Sequence, residues 1–120
     1  MTESLGKIKI SPDVICSYVS DTVLGIPGVF GFSGNLGDVI TKNILGKENA
    51  IRGIKVDFDE EAGWTINLFL IVERGSKIPD VSWNVQKEVT TVLKETTGVK
   101  IKEVNIHIQG VHFEDAEEAE

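Results

Sequence analysis

Cysteine is all but missing: the single thiol, Cys16, cannot close an intramolecular disulfide. The fold must therefore be held by packing and not by cross-links. Long apolar runs are missing too. The longest, Leu68–Val72, is strand-sized, far short of the roughly 18 to 20 residues a membrane-spanning helix needs. The first ten residues carry Glu3 and Lys7 and lack the apolar stretch of a secretion signal. These absences set the expectation of a cytoplasmic protein with no membrane span of its own.

Positive charge is scarce. Lys and Arg number 12 against 19 Asp and Glu, for a net charge of −7. Glu114, Asp115, Glu117, Glu118 and Glu120 contribute −5 at the end of the chain, and −7 less −5 leaves −2 for the body. Neither part supplies the positive field that binding a phosphate backbone requires, so no nucleic-acid partner is expected. Lys42, Lys47, Arg52 and Lys55 do cluster in the middle of the chain. They are either a local anion-facing patch or a solvated loop.

What is present is an ordinary globular composition, 41% hydrophobic and 26% charged over 120 residues, enough for one domain with its own core. We assign residues 1–113 to that domain and 114–120 to an acidic tail, expected to be disordered because like charges with little apolar content cannot offset ordering entropy.

The hydrophobic periodicity predicts the elements in order. Lys7-Ile8-Lys9-Ile10 alternates and predicts a short strand. Ser11-Pro12-Asp13 supplies an N-cap, a first-turn proline and a first-turn acid. A helix should run from Pro12 to Leu24, with Ile15, Tyr18, Val19, Thr22, Val23 and Ile26 on one stripe. Val29–Phe32 reads as a short strand and Asp38–Leu45 as a short helix. Gly46–Gly53 reads as a polar connection. Ile54–Asp59 and Trp64–Glu73 alternate on either side of a Glu60–Gly63 turn, which predicts a hairpin. The second of these strands is apolar on both faces near its middle, as a central strand would be. Pro79–Thr96 predicts a second helix, striped by Val81, Val85, Val89, Val92 and Leu93. Val99–Phe113 predicts a long last strand. Its apolar parity changes near Lys102–Glu103, which predicts a bulge, and Gly110 marks a second irregularity. The fold class is therefore α+β: a two-layer sandwich, two main helices on one face of a mixed, largely antiparallel sheet. The openings Pro12-Asp13-Val14 and Pro79-Asp80-Val81 hint at an internal repeat.

Motifs for chemistry fail on spacing. Gly46-Lys47 is followed by Glu48, and Thr41 stands where a phosphate loop needs its first glycine. Glycines 28, 31, 34 and 37 recur every third residue, which is not a dinucleotide fingerprint. His107 and His112 differ by five along one strand and so face opposite sides, unless a bulge at Gly110 intervenes. Even on one face they lack a third metal ligand. Cys16 adjoins the first helix stripe and has no evident base beside it. We accordingly expect no cofactor, no metal and no enzymatic activity. The residues left over for contact are Phe30, Phe32, Leu36, Lys42, Lys47 and Arg52 in the irregular middle segment, and Trp83, which lies off the stripe of the second helix. The competing reading is that Phe30, Phe32 and Leu36 cap the open end of the sheet. For Trp83, a covering loop and a partner fit equally well.

Several segments together resemble the alkaline shock protein family, also called the envelope stress response family. They are Gly6-Lys-Ile-Lys-Ile-Ser-Pro-Asp-Val-Ile15, Gly28-Val29, Arg52-Gly-Ile-Lys-Val56, Glu73-Arg-Gly-Ser-Lys-Ile-Pro79, Val85-Gln86, Thr97-Gly-Val99 and Val104-Asn-Ile-His-Ile-Gln-Gly-Val-His-Phe113. The resemblance implies a small cytoplasmic protein, recruited to the membrane periphery by a membrane-associated protein partner. It supplies no catalytic residues. The middle segment, Ser33-Gly-Asn-Leu-Gly-Asp38 to Asn49, is similar to branches associated with fatty-acid synthesis, which implies an acetyl-CoA carboxylase component as the partner. Self-association as a homo-oligomer is the other contact expected. A small-molecule-sensing regulatory domain is the alternative, by analogy of fold.

Overall fold

The computed structural model describes residues 5–33, 50, 51 and 53–113. Among these it has two helices and five strands: α1 (Pro12–Leu24), β1 (Val29–Phe32), β2 (Ala50–Ile51), β3 (Ile54–Asp59), β4 (Gly63–Glu73), α2 (Ile78–Thr96) and β5 (Ile101–His112). The expected helix Asp38–Leu45 and the acidic tail 114–120 lie outside the described residues.

The α1 cap forms as its sequence requires: the Val14 amide donates to Ser11 Oγ at 3.4 Å and to the Ser11 carbonyl at 3.1 Å. The end of α2 is rich in threonine and valine and intrinsically weak. Its last carbonyls are taken up locally. Thr96 and Thr97 hydroxyls donate to Val92 and Leu93 at 2.7 Å each, and the Gly98 amide closes on Leu93 and Lys94.

β4 is the centre of the sheet. One side pairs with β5 in parallel along its whole length. The other side pairs antiparallel with β3 over Gly63–Leu68 and with β1 over Leu70–Val72. β2 extends β3 through Lys55 and Ile54. The parallel pair follows from the crossover β4–α2–β5, which returns the chain in the same direction. Both helices cover the face of β4 that carries Ile66, Leu68, Leu70 and Val72. These residues, with Ile15, Val19, Val23, Val56, Val85, Val89 and Leu93, make one continuous core. Ile106 is half-buried at its edge. Both expected irregularities of β5 are present. The register skips Lys102 between Ile101 and Glu103, and Gln109 between Ile108 and Gly110.

Two expectations need correction. Lys7–Ile10 is not a strand, and Ile8 is 90% exposed. Alternation makes a strand only beside an edge that takes up its amides and carbonyls. This segment leads through Ser11 and Pro12 into the helix layer and stands off the sheet. Between it (Ile8, Ile10, Pro12) and the sheet end (Phe58, Trp64, Val99) lies an open groove of about 580 Å³. The connection Gly46–Gly53 in turn contains a strand, β2, whose two residues are too few to show a period. The hairpin turn needs Gly63 in particular. Its φ is +102°, and a Cβ there would run into the Lys100 carbonyl, which accepts from the Trp64 amide at 2.9 Å.

Candidate functional site

Residues paired across a sheet share a face, so the register defines what the helices leave uncovered. β4 presents Thr65, Asn67, Phe69, Ile71 and Glu73 there. β5 presents Glu103, Asn105 and His107, opposite Thr65, Asn67 and Phe69. A strict two-residue period would then put His112 on the helix side. The extra residue at Gln109 reverses the parity: Gly110 comes opposite Ile71, and His112 opposite Glu73. Both histidines therefore stand on the uncovered face. Of the two arrangements the sequence allowed, the bulge selects the shared one.

Each histidine lies flat on a phenylalanine. Phe69 and His107 stack at 4.4 Å between ring centroids, and Phe30 and His112 at 3.9 Å, both with planes 10° apart. Asn67 Oδ1 accepts from Asn105 Nδ2 at 3.2 Å and lies 3.2 Å from His107 Nε2. His112 Nδ1 lies 3.3 Å from Glu73 Oε1. Gly110 keeps the rows close, since a Cβ there would sit 3.1 Å from Ile71 Cδ1. Beyond them the Arg74 guanidinium lies 5.3 Å from the centroid of the Phe113 ring. The face is thus a row of aromatic, amide and imidazole groups fixed by neighbours on adjacent strands.

The residues singled out for contact are not brought together. Phe30 is 49% exposed, on the uncovered face. Trp83 is 58% exposed on the outer side of α2, in the other layer, with Lys87 Nζ 4.7 Å from the centroid of its ring. Phe32 turns the other way and packs half-buried against the core; Gly53 lies so close that a Cβ there would approach Phe32 Cβ to 2.6 Å. Phe32 is thus part of the packing on the helix side of the sheet. Leu36, Lys42, Lys47 and Arg52 lie outside the described residues. Phe69, Asn67 and Asn105 were missed. The polar and apolar letters on the second face of β4 marked it as a packed surface, but which β5 residues meet it depends on the bulges.

Cys16 sits in the core, 1% exposed. Burial, and after it the Asp13 carboxylate, push its thiol up to about 11 from 9.0. It stays protonated at neutral pH, which opposes a nucleophilic role. Among the described residues no group of three or more His, Cys, Asp or Glu could hold a metal, and no helix is long and apolar enough to cross a membrane.

Two helices on one face of an open sheet define an α+β sandwich, here with an aromatic–imidazole row on its free face. The chain belongs to the alkaline shock protein family, whose model, described as having a cell envelope-related function, matches residues 1–113. It is 34% identical over 110 residues to the uncharacterized protein YqhY of Bacillus subtilis, covering 92% of this chain and 80% of that one. It is 35% identical over 108 residues to YloU of the same organism, covering 88% of each. With the uncharacterized protein Spy1535 of Streptococcus pyogenes it shares 31% identity over 111 residues, covering 92% of this chain and 82% of the relative. No solved structure gives a significant match.

Proposed function

We propose that this protein serves its cell envelope-related role by contact and without catalysis, docking from the cytoplasmic side onto a protein partner at the membrane periphery. A component of lipid synthesis, such as a carboxylase subunit, is the partner chemistry that the middle segment supports. The observation that carries this reading is Phe30: half-exposed, and held in one orientation by its stack on His112. An exposed aromatic whose rotamer is already fixed loses little entropy on binding, which is why such residues are enriched as interface anchors. Trp83, held by Lys87 on the opposite layer, is the second anchor. Two anchors on opposite layers suit a protein that bridges.

The test is cross-linking in intact cells with Phe30→Ala and Trp83→Ala. Loss of one set of adducts with each variant, at unchanged melting temperature, supports two separate docking surfaces. Retention of every wild-type adduct by the double variant places the contact elsewhere, and the reading fails.

A further inference from the structure

β5 is paired with a strand along one side only among the described residues: it pairs with β4, and no described strand runs along its other side. Gln86 shows which groups face outward. Its Nε2 reaches over from α2 and donates to the Val104 carbonyl at 3.0 Å. Backbone groups alternate along a strand, so those of Val104, Ile106 and Ile108 point outward together. The register with β4 is regular from Glu103 to Ile108, between the two bulges.

Natural edges are usually blunted by charge, proline or an inward-pointing lysine. Val104-Asn105-Ile106-His107-Ile108 has none of these. Its helix-side residues are all β-branched, and Ile106 and Ile108 stay half-exposed although they lie on the side the helices cover.

We propose that a second copy of this chain pairs along this edge, β5 antiparallel to β5, about a twofold axis at Ile106. The occupant follows from self-complementarity. With Ile106 opposite itself, Val104 meets Ile108 of the second copy on the helix side, and Asn105 meets His107 on the free side. The charged Lys102 and Glu103 fall outside the run, so no like charges are forced together. Such a twofold joins two sheets into one and leaves both helix layers on the same side. Gln86 need not leave, because a carbonyl oxygen accepts two hydrogen bonds. A strand pair this short makes a small interface, so the dimer is of the weak, concentration-dependent class. The proposal is independent of docking through Phe30 or Trp83, since neither residue lies on this edge.

The test uses the full chain. In sedimentation velocity over a concentration series, the wild type should pass from monomer to dimer. Ile106→Lys, which sets two ammonium groups face to face, should raise the dissociation constant at least about tenfold. Its melting temperature, taken at dilutions where the wild type is monomeric, checks the fold. Disulfide trapping is the second arm, and it does not depend on a lysine being tolerated. Ile106→Cys should form a covalent dimer on mild oxidation, as residues facing each other across a strand pair are within disulfide reach. Ile108→Cys alone should not, while mixing it with Val104→Cys should. The native Cys16 is buried and does not compete. A wild type that stays monomeric throughout overturns the proposal. So does an Ile106→Cys thiol that is captured by other proteins but never by its own copy, which would make the occupant a foreign strand.

Discussion

Toward the helices, β4 presents Trp64, Ile66, Leu68, Leu70 and Val72; away from them, the same strand presents Thr65, Asn67, Phe69, Ile71 and Glu73. The first set is buried and, Trp64 apart, interchangeable in kind: aliphatic volume filled by aliphatic volume. The second is half-exposed apart from the exposed Glu73, and specific in kind, Phe69 matched to His107 and Asn67 to Asn105 and His107 on β5. One face is held by the amount of apolar surface removed from water, the other by pairwise fits worth a fraction of a kcal/mol to about one each. A face of the second sort adds little to stability and is free to be spent on recognition.

The contrast can be broken most directly with a charge. Val85→Asp, on the helix stripe, places an unpaired carboxylate in the core and should cost several kcal/mol, enough to unfold a domain of this size. Val19→Asp should do the same. Phe69→Asp, on the other face, can hydrate its charge and should cost only about 1 kcal/mol, lost with the ring stack. Thermal melts by circular dichroism compare the two. Equal losses would mean that both faces are core.

A smaller effect sharpens the picture of the helix side. Cys16 has a folded pKa of about 11 against 9.0 for the unconstrained thiol. Its contribution is fully present below pH 9 and is lost as the pH rises toward 11, where only the unfolded chain has released the proton. The two-unit gap corresponds to roughly 2–3 kcal/mol. Urea titrations should show stability falling across that window, and Cys16→Ala should remove this part of the fall. The smallest effect belongs to the free face. Phe30→Ala should cost under about 1 kcal/mol while shifting the His112 ring proton resonances downfield as the stacked ring is lost. Unmoved His112 signals would show that the stack does not persist in solution.

Both main helices were legible because their signals are redundant: Ser11 and Pro12 open one, Pro79 opens the other, and aliphatic residues at steps of three and four stripe each. The hairpin was legible from alternation alone. The Lys7–Ile10 expectation failed because alternation says which side of a segment is apolar but not whether an edge is within reach. The site was legible only in pieces. Phe30 and Trp83 stood out as apolar residues off any stripe, and Phe32, two residues after Phe30 and of the same parity, looked the same although the register shift between Val29 and Gly31 turns it inward. The pairing of Phe69 with His107, and of Asn67 with Asn105, depends on the β4–β5 register, which bulges set and hydrophobic periodicity does not.

The bulge at Gln109 acts on the end of the chain as a frameshift acts on a message. Every side chain after it is read on the opposite face from the one that counting by twos would assign. Were Gln109 instead drawn into the ladder opposite Ile71, with no residue left over, composition, charge and apolar content would be the same. Val111 would be turned out to solvent, His112 would be turned in under the helices, and the Phe30 ring would lose its partner. The outline of the fold would survive such a slip, and the identity of its free surface would not.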